Sequence, residues 1–263
     1  ISVAQRSSMN SALSLCPPIA VNNRLLPSGH IAFLNHQQVF DIDDIEWCPQ
    51  EVSRLWRYNL HYFDYLRDAS FAAEKKQTIL NSWISLNAQN TQPGWEPFTC
   101  SLRIVNWVFY LNKNASLASQ EIIDSLYLQA LWLERNDEKH ILANHYFENI
   151  KALLFAGCFF HKQNMADKNS ARWLRFAEQE IIQQLHEQTL KDGGHYERSP
   201  QYHCLMLENY LDIYNLTHSN SSLFDNNFIK QLKRFSISGL DFINEIVFPD
   251  KSIPLFNDSA FDV

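Results

Sequence analysis

The sequence has little of what several large protein classes require. It contains only 6 glycines in 263 residues, whereas all-β proteins and glycine-rich phosphate-binding folds usually need more for their turns. No apolar run is long enough to cross a membrane. The net charge of -7 argues against a nucleic acid as the main partner, because the phosphate backbone attracts basic surfaces. These absences favour a helical protein without a membrane span.

Cysteine and histidine spacing gives no sign of a disulfide framework or a structural metal. The five cysteines are far apart and form no CxxC pair, so we expect free and mostly buried thiols. They are Cys16, Cys48, Cys100, Cys158 and Cys204. His140 and His145 are five residues apart, whereas two ligands on one helix face are four apart. We therefore identify no metal or cofactor in this chain, although a zinc site that uses His195, His203 and acidic residues stays open.

The pattern of apolar residues changes near residue 50. Before it, short apolar stretches between Ile31 and Ile42 flank His36-Gln37-Gln38 and suggest a small β-hairpin. After it, apolar residues recur at helical spacing in segments joined by short connections. The predicted helices are residues 54–68, 71–88, 98–112, 116–135, 140–162, 169–190, 200–217 and 226–247.

Consecutive helices with short connections pack as antiparallel hairpins. Several helices carry apolar residues on more than one face, which suits an inner ring of helices surrounded by an outer ring. We therefore predict an all-α protein that forms an incomplete (α/α) toroid after a small irregular or β-hairpin segment. A plain helical bundle is the alternative. The predicted divisions are an N-terminal segment at 1–50, the toroid at 51–248 and the start of a linker at 249–263.

The most informative local motif spans residues 192–203, with the sequence DGGHYERSPQYH. Gly193 and Gly194 permit a tight turn. Ser199 followed by Pro200 predicts a helix N-cap and the first helical residue. The motif therefore predicts that a helix begins immediately before Tyr202.

Tyr202 and His203 fall in the first turn of that helix, near the positive end of its dipole. With Arg198 and His195 nearby, this position favours the phenolate form of Tyr202. Such a tyrosine suits the removal of a proton. The alternative is that Tyr202 packs in the core and His203 caps a neighbouring group.

Asn144 and His145 form a second polar pair, on a segment that is otherwise apolar. A side-chain amide and an imidazole are costly to bury unless they are hydrogen-bonded or bind a ligand. Glu148 lies three residues after His145, so it is expected to orient the imidazole ring. The alternative is a satisfied buried histidine beside an asparagine at the helix start.

A third group mixes aromatic residues with arginine and asparagine over residues 55–65, 94–97 and 101–107. Arginine forks match carboxylate and sulfate geometry, so these segments suit a groove for an anionic sugar chain. The alternative is helix packing with partly exposed arginines. The predicted substrate-binding residues are Arg57, Asn59, Trp95, Arg103, Arg198 and His203.

Taken together, these motifs resemble the heparinase II/III-like, alginate lyase-like family of polysaccharide lyases. The matching motifs occur in the family's order over about residues 50–260. They are Trp56 to Tyr65, Trp95 to Pro97, Ser101 to Trp107, Asn144-His145, Gly193 to His203 and Leu255 to Asp258. The resemblance implies an α/α toroid followed by a β-sandwich, with the active site in the cleft between them. In relatives, the β-sandwich supplies a further histidine or tyrosine and sometimes a metal.

The resemblance also implies a reaction, a substrate and a location. Such lyases cleave uronic-acid polysaccharides by β-elimination, so an acidic polysaccharide is the expected partner, in the periplasm or outside the cell. The family pattern places an Asn-His pair near the uronate carboxylate and a tyrosine as the base. Residue by residue, these roles fall on Asn144, His145 and Tyr202.

Two other functions remain open at this point. A glycoside hydrolase on a similar toroid would need two opposed carboxylates, and the candidates are Glu96, Asp192, Glu197 and Asp258. A helical binding module for a polysaccharide would need no base at Tyr202.

Overall fold

A computed structural model describes residues 12–19, 25–26, 29–69, 71–141, 143–163 and 168–260. Within them the chain forms eight α-helices and one small antiparallel sheet. The strands are β1 (Leu25–Leu26), β2 (His30–Phe33) and β3 (His36–Val39). The helices are α1 (Arg54–Tyr62), α2 (Ala73–Leu86), α3 (Pro97–Lys113), α4 (Gln120–Leu133), α5 (Ala143–Lys162), α6 (Lys168–Gln188), α7 (Pro200–Ser219) and α8 (Asn226–Ile246).

The predicted hairpin is confirmed, but its turn lies elsewhere than expected. β2 pairs with β3 around Leu34 and Asn35, which have φ angles of 52° and 57°. His36-Gln37-Gln38 therefore lies within β3 and not between the strands. Phe33 is fully buried and packs edge-on against Trp56, with ring centroids 5.2 Å apart. The sheet thus shares one core with the helices that follow it.

Polar caps mark where several helices begin. The side chains of Ser53, Ser119, Ser199 and Asp225 each accept a hydrogen bond from a backbone N–H in the following helical turn. Each such cap contributes about 1 kcal/mol to helix stability. The predicted start of α7, with Ser199 as N-cap and Pro200 at the first position, is confirmed.

The helices form two layers. α1, α3, α5 and α7 pack against one another in that order, while α2 packs against α4 and α6 against α8. α5 is central, and all its residues from Tyr146 to Phe160 are buried. An outer helix returns the chain between successive inner ones, so the inner helices run in the same direction. The fold is the predicted incomplete α/α toroid, and the N-termini of its inner helices meet at one rim.

The expected helix over 54–68 is interrupted at Phe63. This residue has a left-handed φ of 64°, and the chain continues as a short 3-10 turn over Asp64–Arg67. The Phe63 ring is fully buried, stacked on Trp47 at 5.6 Å and edge-on to Trp107 at 5.5 Å. Burial of this ring accompanies the break in the helix, which local periodicity does not reveal.

The five cysteines are free, as predicted, but the expectation that most are buried is wrong. Cys100 and Cys158 are buried, Cys48 and Cys204 are half-buried and Cys16 is exposed. Among the helices of the described ranges, none is long and apolar enough to cross a membrane.

Candidate active site

The first part of the rim joins the N-termini of α1 and α3. Arg54 Nη2 donates to both carboxylate oxygens of Glu96, at 2.8 and 2.9 Å. The hydroxyl of Tyr58 donates to the same carboxylate. Glu96, a candidate for hydrolase chemistry, is therefore engaged by two neighbours. The Arg54 side chain is largely exposed to solvent, so this part of the rim is a charged and aromatic surface.

His145 lies at the next junction, between α3 and α5. Its ring stacks on Phe98 with centroids 4.3 Å apart and planes 28° apart. Phe98 in turn meets Tyr62 edge-on at 5.9 Å. His145 Nδ1 is 3.1 Å from Glu138 Oε1, and 35% of the side chain is exposed. The imidazole is thus held on two sides and is still accessible.

The residue that orients His145 is Glu138, so the expectation for Glu148 is wrong. Glu148 is buried, and its Oε1 accepts a hydrogen bond from Asn209 Nδ2 at 2.7 Å. Burial raises the pKa of Glu148, which Lys151 and Asn209 partly offset. Glu148 therefore belongs to the contact between α5 and α7.

Asn144 stands beside His145 in the first turn of α5. Its side chain is half-buried, and its amide has no hydrogen-bond partner among the described residues. Ala143, the first helical residue, has a φ of 54°, which costs a non-glycine residue about 1 kcal/mol. Its carbonyl accepts from Gln188 Nε2 at 3.2 Å. A strained helix start thus precedes an amide that is available to a ligand.

Tyr202 lies in the first turn of α7, the inner helix next to α5. Its backbone N–H donates to Ser199 Oγ at 3.3 Å. Burial raises the pKa of the phenol above its ordinary value, and the negative charges of Asp258 and Glu197 raise it further. The prediction that the phenolate is favoured is therefore wrong for this structure. Arg198 is exposed, and its charge does not outweigh the burial and the two carboxylates.

Asp258 is brought to Tyr202 by the segment that follows α8. Ser199 Oγ donates to the backbone carbonyl of Asp258 at 2.8 Å, and Asn257 Nδ2 donates to the carbonyl of Arg198 at 2.6 Å. Ser259 Oγ accepts from the backbone N–H of Gln201 at 3.2 Å. The chain after α8 therefore folds back over the start of α7.

His203 packs against α8. It is buried, and its Nε2 donates to the carbonyl of Gly239 on α8 at 3.0 Å. With His195 it lines a cavity of about 280 Å³ between α7 and α8. Burial lowers the pKa of both histidines, that of His195 to about 4 with a contribution from His203. The groove role predicted for His203 is thus corrected.

Trp95 and Arg103 are also core residues rather than groove residues. Trp95 is 4% exposed, and its indole N–H donates to the carbonyl of Asn87 at 3.1 Å. Arg103 is 0% exposed, and its guanidinium lies 4.0 Å from the centre of the Trp83 ring. Neither side chain is accessible to a substrate in this structure, so both groove predictions are wrong.

The three remaining groove residues stay predictions. Arg57 is half-buried, and its Nε is buried without a hydrogen-bond partner among the described residues. Asn59 is half-buried, and its amide donates to the carbonyl of Leu55 at 2.9 Å. Arg198 is exposed, with a left-handed φ of 57°.

The structure thus brings Asn144, His145 and Tyr202 to the starts of two adjacent inner helices, at the same rim. Phe98 and Glu138 join them as residues that were not predicted. No group of three or more histidine, cysteine, aspartate or glutamate side chains within the described residues is placed to hold a metal. The site therefore consists of an amide, an imidazole and a phenol.

One prediction concerns the charge around the phenol. Replacement of Asp258 by asparagine should lower the pKa of Tyr202, because it removes a negative charge that disfavours the phenolate. The contact from Ser199 is kept, since it goes to the backbone carbonyl. Tyrosine-labelled protein followed by NMR through an alkaline titration measures the change. Asp250→Asn in the same segment is the control, and an equal shift in both variants would contradict the prediction.

The chain belongs to the heparinase II/III family: residues 18–262 match its domain "Heparinase II/III N-terminus". A comparison with curated proteins gave no match.

Several solved structures share the fold. One is heparinase III, the BT4657 gene product, with a TM-score of 0.58 and 18% identity, over 82% of this chain and 39% of that one. Another is the heparan sulfate lyase HepC from Pedobacter heparinus, with a TM-score of 0.54 and 18% identity, over 81% and 36%. A further heparinase III has a TM-score of 0.57 and 19% identity, over 79% and 34%. The chain thus spans less than two fifths of each.

Proposed function

We propose that this chain is the helical part of a polysaccharide lyase that cleaves a uronic-acid polysaccharide by β-elimination. The observation that carries the proposal is the shared rim of Asn144, His145 and Tyr202, at the starts of α5 and α7. The family membership and the heparinase III and heparan sulfate lyase neighbours support the same class of reaction and an acidic polysaccharide as the substrate.

The chemistry needs the uronate carboxylate to be neutralised first. The C5 proton is only weakly acidic until negative charge can spread onto that carboxylate. The amide of Asn144 and the doubly protonated ring of His145 would donate hydrogen bonds to the developing enediolate. Donors that are fixed in advance and partly shielded from water stabilise such charge strongly. The half-buried positions of both side chains suit this role.

Tyr202 would then act as the base. Its oxygen accepts the C5 proton, the C5–H electrons form the C4–C5 double bond, and the bond from C4 to the glycosidic oxygen breaks. The leaving oxygen takes a proton from Tyr202 or from another group. The raised pKa of Tyr202 makes the phenol a strong base once it is deprotonated, and it limits the phenolate fraction at neutral pH.

The test is the ultraviolet absorbance of the conjugated C4–C5 double bond, with alginate, heparan sulfate, hyaluronan and bacterial capsular polymers as substrates. The chain spans 34–39% of its structural neighbours, so it should be tested both alone and in a form extended through the expected β-sandwich. New absorbance with one polymer would support the lyase and identify its substrate. Reducing ends without absorbance would indicate a hydrolase, and binding without any cleavage would indicate a binding module.

A further inference from the structure

Glu138 lies in the connection between α4 and α5 and meets His145 at the start of α5. Its Oε1 is 3.1 Å from His145 Nδ1, and the residue is 8% exposed. An ionised carboxylate only accepts hydrogen bonds, so Nδ1 carries the proton in this contact. The contact therefore determines which ring nitrogen is protonated when His145 is neutral.

Glu138 is itself held by hydrogen bonds that lead into α3. Asn149 Oδ1 accepts from the backbone N–H of Glu138 at 2.7 Å. Asn149 Nδ2 donates to Ser101 Oγ at 2.9 Å and lies 3.4 Å from Glu138 Oε2. Ser101 donates in turn to the carbonyl of Pro97 at 2.8 Å. Because Asn149 and Ser101 are fully buried, the chain of bonds keeps the Glu138 carboxylate in place.

Phe98 restricts the imidazole from its flat side. The two rings stack at 4.3 Å, so the imidazole cannot tilt out of this plane without losing the contact, and a flip within the plane would lose the bond to Glu138. Nδ1 is taken by Glu138, and Nε2 has no hydrogen-bond partner in the described part of the chain. Of the two ring nitrogens, Nε2 is therefore the one available to a ligand.

We infer that Glu138 is a positioning residue that presents Nε2 of His145 to the substrate carboxylate, an inference that rests on the proposed lyase function. When the ring carries both protons, it forms an ion pair with Glu138 through Nδ1, and Nε2–H donates to the uronate. When the ring is neutral, Nε2 carries a lone pair that repels the same carboxylate. The structure thus assigns carboxylate recognition to the doubly protonated ring.

The first experiment measures the tautomer directly. Nitrogen NMR of the labelled chain, with His145 assigned by comparison with His145→Gln, should show the neutral ring protonated at Nδ1. In Glu138→Gln the preference should weaken, because the amide can either donate to Nδ1 or accept from it. A wild-type ring protonated at Nε2 would overturn the inference, and this spectrum decides the matter even if the variant fails to fold.

The second experiment measures turnover with the substrate found in the absorbance test. Glu138→Gln should lower the rate about 10- to 100-fold, by analogy with the loss seen when a partner that orients a metal-binding imidazole is removed. Glu134→Gln is the matched control, since this carboxylate lies at the end of α4 but binds Arg172 at 2.5 and 2.6 Å. Circular dichroism should show the same helix content in both variants.

The two hypotheses fail in different ways. An unchanged tautomer and an unchanged rate in Glu138→Gln would overturn the positioning role and leave the lyase proposal standing. No elimination by any protein, together with the expected tautomer change, would contradict the lyase proposal and support the Glu138–His145 contact. A rate loss shared by Glu134→Gln would point to general loosening of this connection and contradict a specific role.

Discussion

Replacement of Arg103 by methionine should lower the free energy of unfolding by about 2–5 kcal/mol, because it leaves two buried acceptors without donors. Arg103 is fully buried; its Nε donates to Gln129 Oε1 at 2.8 Å and its Nη1 to the carbonyl of Gly94 at 2.6 Å. Burial lowers the pKa of the guanidinium to about 10, so it stays charged at neutral pH. Methionine fills much of the volume but cannot donate, and it also loses the cation–π contact with Trp83.

The matched control is Arg172→Met on the surface. Arg172 binds Glu134, and about half of its side chain is exposed, so its loss should cost at most about 1 kcal/mol. Urea unfolding followed by circular dichroism and tryptophan fluorescence measures both variants. A cost for Arg103→Met no greater than that of Arg172→Met would show that the buried guanidinium is not needed for the fold.

The helices were predictable from the sequence because their main determinants are local. Seven of the predicted segments match α2 to α8 within a few residues, since apolar periodicity and caps such as Ser199 act over one or two turns. The break at Phe63 was not predictable in this way. The Phe63 ring packs between Trp47 and Trp107, and those partners are 16 and 44 positions distant in the printed sequence.

The residues predicted to line a groove show a second limit of prediction from the local sequence. An arginine among tryptophans has the composition of a sugar-binding surface, and it also has the composition of a buried cation–π cluster. Only long-range contacts separate the two possibilities, and Arg103 bonds to Gln129, 26 residues further along the chain. The local rule that neighbours lie three or four residues apart likewise indicated Glu148, while the residue that reaches His145 is Glu138 in the preceding connection.

Tyr202 illustrates both the success and the limit of the sequence. Its place in the first turn of a helix followed from Ser199 and Pro200. The charges around Tyr202 did not follow from the local sequence. Asp258 lies 56 positions later and reaches Tyr202 only when the chain after α8 folds back. A position is local information, whereas a pKa depends on every charge that the fold brings near.

Replacement of Tyr202 by phenylalanine should abolish most elimination activity, with a loss of about 10²- to 10⁴-fold, the usual contribution of a positioned base. Phenylalanine keeps the ring and removes only the oxygen that would accept the C5 proton. Polymer binding should change little, because Asn144 and His145 remain. The measurement is initial-rate absorbance of the unsaturated product, in the form of the protein that shows activity, together with binding of the same polymer.

The matched control is Tyr196→Phe in the same motif, because Tyr196 is 40% exposed. It should keep the rate within a few-fold. If Tyr202 is the base, the wild-type rate should also rise with pH in the range where His145 keeps both protons, because the raised pKa of the phenol keeps the phenolate fraction low at neutral pH. Asp258→Asn should move that rise to lower pH. A Tyr202→Phe variant that retains the wild-type rate and pH profile would exclude Tyr202 as the base and leave Nε2 of His145 as the next candidate.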